Sequence, residues 1–225
     1  MRMWQTIRAS SLGRHYHAEA YLALVLAGGY EEAGDNGRFR VEAGDVLLHD
    51  RFEGHLDRFS KSGAVVLNLR LPEDYPFQPG LARFFDPEHV ARVAEKNKRE
   101  AAELVLSMLL RGRAVCADWP DELAAAMLKD ASLSLSRWSI EKGIAPWTIS
   151  RGFARVFGIS PEAFRARTRA RRAWKAIQQK ANEPLAGIAA ELGFADQAHM
   201  SRSVRAMTGM TPRAWRAAAN RFKTN

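Results

Sequence analysis

The chain has 225 residues, enough for one large domain or two small ones with separate cores. With 47% hydrophobic and 26% charged residues it has the balance of a folded globular protein, which excludes an intrinsically disordered chain. The net charge is +9, no run approaches the roughly 20 apolar residues of a membrane span, and the single cysteine, Cys116, excludes an intrachain disulfide and a cysteine-based zinc site. Arg2, Arg8, Arg14, His15 and His17 interrupt the N-terminus, so it carries no basic-then-apolar leader, and the expected compartment is the cytoplasm.

The first 80 residues read as strands. Ala20 to Leu26 is a nearly continuous apolar run, and Asp35-Asn36-Gly37 is a hairpin signal, because Asn-Gly readily takes the positive φ of a tight primed turn. Arg38 to Glu42 alternates polar and apolar with period two. Ala43-Gly44-Asp45 turns the chain into Val46-Leu47-Leu48, and Ala64 to Leu71 supplies another strand. Pro72, Pro76, Pro79 and Gly80 close the region, since a proline removes a ladder donor. Helical sequence follows: one helix from Pro87 to about Leu110, a break at Arg111-Gly112-Arg113, and a second helix over Pro120–Lys129 with proline in the favoured first turn. From Ser132 onward the pattern is helical with short loops.

Charge is distributed unevenly. Residues 1–95 hold 11 basic and 14 acidic groups, residues 96–131 six of each, and residues 132–225 hold 17 basic and 5 acidic. A basic block confined to the C-terminal part suits a polyanion such as nucleic acid, and equally suits a solubilising face; charge alone leaves both open.

An internal repeat decides between them. Leu135-x-x-Trp138-Ser139-x-x-x-Gly143 recurs as Leu185-x-x-Ile188-Ala189-x-x-x-Gly193. One inserted residue later, Ile149-Ser150-Arg151 pairs with Met200-Ser201-Arg202, and Gly158-Ile159-Ser160-Pro161-x-x-Phe164-Arg165 with Gly209-Met210-Thr211-Pro212-x-x-Trp215-Arg216. Each copy has the grammar of a helix-turn-helix. Ser139 or Ala189 is the small residue at the helix crossing, and Gly143 or Gly193 takes the left-handed conformation that ends the first helix. Ile144 or Phe194 then plugs the angle before a second helix over about 146–157 or 196–208. The inward stripes are Ile149, Phe153 and Val156 in one copy, and Met200, Val204 and Met207 in the other. The opposite faces carry Trp147, Ser150, Arg151 and Arg155, and Gln197, Ala198, His199, Ser201, Arg202 and Arg205, most of them hydrogen-bonding types suited to base edges and phosphates. Between the copies, Arg165, Arg169 and Arg172 share one face of a linking helix; a phosphate contact from one stripe is open, and a solvated face is expected for most of them.

The segment from Ile188 to Arg216, with Gly193-Phe194-Ala195-Asp196-Gln197-Ala198-His199-Met200-Ser201-Arg202 and Gly209-Met210-Thr211-Pro212, resembles the signature of the AraC family of transcriptional regulators. It departs from that pattern at Met200, Ala195 and Ala198, and Lys142 stands at a usually apolar position. The resemblance implies two helix-turn-helix subdomains joined by a linking helix over about Pro161–Gln179, with recognition helices in successive major-groove segments of double-stranded DNA. It also implies RNA polymerase as a partner, a small-molecule effector and a homodimer.

His15, His17, His49 and His55 are four of the six histidines. His15-x-His17 ahead of a strand, with Gly44-Asp45 and Phe52-Glu53-Gly54-His55 later, resembles the two motifs of the cupin barrel. Tyr21 and Leu22 occupy the positions of the expected metal-binding Glu, and only Glu19, in phase with His17, could substitute. Glu31, Glu32 and Tyr30 are further candidates for the mouth. A three-histidine site for Zn²⁺ or Fe²⁺ and a degenerate barrel whose histidines contact a small ligand are both open readings. The second is preferred, with ligand contacts from His15, His17, Tyr21, His49 and His55, and with no metal, cofactor or catalytic residue expected. The overall expectation is an α+β chain: a cupin-like β-barrel sensor over 1–80, a helical connector over 81–120, and an all-α double helix-turn-helix DNA-binding domain over 121–225. The competing expectation is a cupin metalloenzyme with a helical assembly tail.

Overall fold

The computed structural model describes residues 4–72, 78–111, 118–180 and 182–223; Pro76, Gly112, Arg113 and Cys116 lie outside them. The chain divides into two compact units, Met1–Ala125 with Gly152–Ile159, and Ala126–Arg151 with Ser160–Asn225.

Unit 1 is built on an antiparallel sheet of β1 (Trp4–Ile7), β2 (Ser11–Tyr16), β3 (Tyr21–Gly34), β4 (Gly37–Glu42), β5 (Asp45–His49), β6 (Gly54–Arg70), β7 (Gly80–Arg83) and β8 (Leu110–Arg111). The hydrogen-bonded path runs β1-β6-β3-β5-β7-β8, with β2 on β6 and β4 on β3. Among the described residues the path does not return on itself, so the sheet curls without closing into a ring. The expected β domain ahead of an all-α part is what forms, and the Asn36-Gly37 hairpin closes with Gly34 opposite Gly37.

Both faces of the central strands are buried, which is why Tyr21–Leu26 reads as continuous apolar sequence. Side chains alternate across a strand. Leu22, Leu24, Val46, Leu48, Leu67 and Leu69 therefore pack on one face with α1 (Pro87–Lys96) and α2 (Lys98–Ser107), while Ala23, Val25, Leu47 and Val66 join Tyr30, Phe39 and Val41 on the other. The single helix expected over 87–110 is two helices. Asn97 lies between them in extended backbone, and its side-chain oxygen accepts from the N–H groups of Arg99 at 3.0 Å and Glu100 at 3.2 Å. A capping residue inside an otherwise helical pattern offers the backbone an alternative to the helix. The break lets Val90, Ala94, Ala101, Ala102 and Val105 all face the sheet.

β3 bends through two register shifts, at Val25/Ala27 and Gly28/Tyr30. There three backbones meet: a Cβ on Gly28 would lie 2.1 Å from the carbonyl oxygen of Gly63, and one on Gly63 would lie 2.2 Å from that of Ile7. Both glycines also have left-handed φ, 70° and 72°. Gly63→Val therefore combines strain with a clash against main chain, and is expected to cost about 3 kcal/mol or more in a urea melt. A variant within about 0.5 kcal/mol of the parent would contradict this packing.

α3 (Trp119–Lys129) starts in unit 1 and ends in unit 2, whereas α5 (Pro146–Phe157) runs the other way. The last turn of α5 belongs to unit 1, where Arg14 donates to the carbonyl of Phe157 at 2.9 Å and Arg58 to that of Val156 at 3.1 Å. Arg14 is also ion-paired with Asp35, whose other oxygen accepts from the N–H of Gly54. Unit 2 is helical, with α4 (Leu135–Lys142), α6 (Pro161–Gln179), α7 (Leu185–Glu191), α8 (Gln197–Thr208) and α9 (Pro212–Lys223). Among the described residues no helix is long and apolar enough to cross a membrane.

Candidate nucleic-acid interface and histidine cluster

The sequence repeat is a repeat of hydrogen bonds. After α4, Gly143 has φ 64° and donates to Ile140, and Ile144 donates back to Ser139. After α7, Gly193 has φ 70° and donates to Ala190, and Phe194 donates back to Ala189. The same two bonds thus close both turns, in the reversal that a left-handed residue permits at a helix end. The second helices also end alike, at Gly158 with φ 73° and Gly209 with φ 77°. The next helix of each copy is capped by a hydroxyl: Ser160 accepts from Ala163 at 3.2 Å, and Thr211 from Ala214 at 3.3 Å.

The helix bounds expected for α5 and α6 are those observed, and α8 begins one residue after Asp196, whose carboxylate caps it by accepting from the N–H of His199. Met200, Val204 and Met207 are buried as expected. In α5 the buried stripe is Ile149, Phe153 and Phe157, with Val156 only half-buried. Spacing of four rather than three carries the inner face there, and the Phe153 and Phe157 rings stack at 4.5 Å. On the outer faces, Trp147 is 67% exposed, and Ser150, Arg151, Arg155, Gln197, Ala198, Arg202 and Arg205 are exposed. His199 and Ser201 are half-buried, the His199 ring standing edge-on to Phe194 at 5.3 Å.

The arginine stripe on α6 is not a solvated face. Arg165 donates to the carbonyl of Leu133 at 2.7 Å, Arg169 to those of Gly193 at 3.1 Å and Ala131 at 3.3 Å, and Arg172 to those of Leu128 and Lys129. The last carbonyls of α3 have no partners within their own helix, and a guanidinium is well suited to supply them. Arg169 joins the approach to α4 directly to the turn after α7. These arginines brace the helices from within.

In unit 1 the structure brings the four histidines and Tyr21 together. Tyr21 lies opposite His49 in the β3–β5 register and stacks on it at 4.4 Å; His15 lies opposite His55 in the β2–β6 register, with ring centroids 4.2 Å apart. His17 sits 5.2 Å from His15 and 5.7 Å from His55. His17 is exposed, His15 and Tyr21 are half-buried, and His49 and His55 lie buried beneath them. A cleft of about 240 Å³ opens beside His17 and Tyr21, lined also by Glu19, Asn68 and Arg70.

Glu19 does not join the histidines. Residues 17–20 are not in a strand, so period two does not apply, and Glu19 pairs with Arg70 at 2.9 Å. Tyr30 is buried against Phe59 rather than placed at the mouth, and Glu31 pairs with Arg58. The carboxylates that do reach the rings are Glu32, Asp57 and Glu53. Glu32 faces Asp57 across the β3–β6 pair. It lies 3.4 Å from Nδ1 of His55 and 3.5 Å from Nε2 of His49, while Asp57 is 3.1 Å from Nδ1 of His55. Glu53 is 3.7 Å from Nδ1 of His49, presented by a turn in which Phe52 takes a left-handed φ of 57°. Asp57 went unread in the sequence, and Glu53 was read only as part of a cupin-like motif. For Asp57 the signal was the alternation His55-x-Asp57 on β6, which puts the two side chains in phase, whereas Glu53 lies in the turn before that strand.

Burial opposes charge on His55, but Glu32 and Asp57 outweigh it and raise the imidazole to about 10. Its Nδ1 thus donates to Asp57, and its Nε2 to the Tyr21 hydroxyl oxygen at 2.9 Å. His17 is pushed down by burial and by the neighbouring His55, His15 and His49. Burial, then Glu32, Asp57 and Glu53, pushes the Tyr21 hydroxyl up, so it stays protonated.

Residues 138–218 match a family model described as a helix-turn-helix domain. Among solved structures, the chain is similar to the C-terminal domain of AraT, a response regulator from Geobacillus stearothermophilus, at 20% identity over 44% of this chain and 84% of that one, with a TM-score of 0.41. It is similar to a transcriptional regulator with an AraC-type DNA-binding domain from Chromobacterium violaceum at 25% identity, over 44% of this chain and 88% of that one, with a TM-score of 0.41. It is also similar to ToxT from Vibrio cholerae strain SCE256, bound to an unsaturated fatty acid, at 10% identity over 94% of this chain and 92% of that one, with a TM-score of 0.43. No curated protein matches the chain significantly. Residues 138–218 therefore belong to a helix-turn-helix domain family.

Proposed function

We propose that α5 and α8 lay their outer faces into successive major-groove segments of double-stranded DNA. Trp147, Ser150, Arg151 and Arg155 contact one segment, and Gln197, Ala198, His199, Ser201, Arg202 and Arg205 the other. The observation that carries this reading is the doubled turn: one pair of hydrogen bonds at Gly143 and again at Gly193, each followed by a helix with a buried apolar stripe and an exposed face bearing arginine. A helix entering a groove needs that division, and hydrogen-bonding side chains on the exposed face supply base and phosphate contacts. In the same proposal the protein is a cytoplasmic regulator rather than an enzyme, with RNA polymerase as a partner and a homodimer as its assembly. A small polar effector sits in the cleft at His17 and Tyr21, beside His15 and above His49 and His55, where the Glu19–Arg70 pair favours a polar molecule.

Selection of bound sites from random duplex at physiological salt tests the DNA reading. The expected product is a bipartite site whose two conserved blocks lie about one helical turn, roughly 10 base pairs, apart. Steeply salt-dependent binding with no sequence enrichment would replace this reading with non-specific coating of nucleic acid.

A further inference from the structure

His49 is the group that the regulator reading leaves unexplained. Its side chain is 2% exposed, and neither ring nitrogen has a hydrogen bond. A buried imidazole without a hydrogen bond at either nitrogen is costly and rare, because the desolvation of its polar atoms is poorly compensated. Carboxylate oxygens of two other buried residues stand by the ring, Glu32 at 3.5 Å from Nε2 and Glu53 at 3.7 Å from Nδ1, without making a hydrogen bond. One ligand atom from each of Glu32, His49 and Glu53 lies within 4.8 Å of the other two. Some point is therefore within about 2.8 Å of all three, and side-chain shifts of under an ångström bring them to the ~2.0–2.2 Å of transition-metal bonds.

From this placement we propose that Glu32, His49 and Glu53 form a binding site for a divalent transition-metal ion inside the sheet of unit 1, with Tyr21 stacked on the His49 ring to hold its plane. One imidazole and two carboxylates are a mixed nitrogen and oxygen donor set, which suits Zn²⁺ or Mn²⁺ and not the soft ions that thiolates select. The rim imidazoles offer a second convergence, His15, His17 and His55. They are the poorer site, because His55 is already engaged on both sides, by Asp57 at 3.1 Å and by Tyr21 at 2.9 Å. His15 likewise has Nδ1 at 2.9 Å from the carbonyl of Gly13. Metal at the rim would break existing bonds, whereas metal at His49 supplies one of the two that its ring nitrogens lack. Glu32 also faces His55, so the inner ion and the His55–Tyr21 pair beneath the effector cleft share one carboxylate. The inference does not depend on the chain's binding DNA.

The test uses the full chain, stripped with a chelator and then equilibrated with ZnCl₂ or MnCl₂, with metal counted per chain. The expected result is one ion per chain, with affinity lowered at least about tenfold in Glu32→Gln and in His49→Gln and within about twofold of the parent in the His15→Ala/His17→Ala double variant. No stoichiometric uptake of either ion by the parent overturns the proposal, and so does loss of the ion in the double variant with retention in Glu32→Gln. X-ray absorption on the zinc-loaded parent needs no variant: one imidazole with oxygen neighbours supports the inner site, and three imidazoles overturn it. Sequence-specific duplex binding by a chain that takes up no metal would sink this inference and leave the regulator reading standing.

Discussion

Arg202→Ala and Arg151→Ala are each expected to weaken binding to the selected duplex by about 1–3 kcal/mol, roughly fivefold to 150-fold in Kd. The two residues occupy the same place in the repeat, two positions after the buried Ile149 or Met200, and both are exposed. Neither contributes to the apolar stripe of its helix, so folding stability should change by no more than about 0.5 kcal/mol. A base contact and a phosphate contact separate in the same titration. Loss of a base contact relaxes preference at one position of the site, whereas loss of a phosphate contact weakens all duplexes and lowers the salt slope by about one. Fluorescence anisotropy at two salt concentrations, on cognate and scrambled duplexes, reads both. Parent-like affinity in the double variant would remove these arginines from the interface. Parent-like stability with lost binding would place their effect on DNA alone.

Trp215→Ala is expected to cost about 3–5 kcal/mol of stability, the range for deleting a buried large aromatic side chain. Trp215 is buried at the start of α9, its ring edge-on to Trp174 of α6 at 5.7 Å. Its indole N–H donates to the Thr208 hydroxyl at 2.8 Å, and that hydroxyl in turn donates to the carbonyl of Val204. The side chain thus ties the end of α8 to the helix that braces both copies. Trp215→Phe keeps most of the ring and removes the donor, so about 1 kcal/mol is expected from the lost hydrogen bond, plus the smaller ring's contribution. Denaturant melts followed by circular dichroism distinguish these values, and equal loss in both variants would show that the hydrogen bond rather than the packing dominates. Phe164 stands at the equivalent position of the first copy, fully buried and with no donor to satisfy.

The helical half was readable because its signals are local. A glycine at the end of α4 or α7, a proline or aspartate at the start of the next helix, and a hydroxyl before α6 and α9 act on their own few residues through backbone conformation and capping. The α5 stripe was misread at one position, because Val156 and Phe157 both satisfy helical spacing and only packing selects between them. The α6 arginines were misread for a different reason. Their partners are carbonyls of Leu128, Lys129, Ala131, Leu133 and Gly193, between 24 and 44 positions away in the chain, and no periodicity within α6 points to them. Similarly, apolar periodicity could not show that Asn97 would stop one helix and cap the next.

Residue types and their order by themselves determined that the chain has a β part followed by a duplicated helix-turn-helix, and that four histidines and Tyr21 belong together. Those features follow from alternation, helical spacing and turn chemistry, which operate over a handful of bonds. Only the tertiary structure decided which carboxylates face those histidines. Glu32 reaches His49 and His55 because β3 pairs with both β5 and β6 in particular registers, and Glu53 returns to His49 because the turn through Phe52 aims it there. A shift of one residue in either pairing would turn Glu32 to the opposite face. Register is set by burial over the whole sheet, so the chemistry of the cluster is a property of the packed molecule and not of any segment within it.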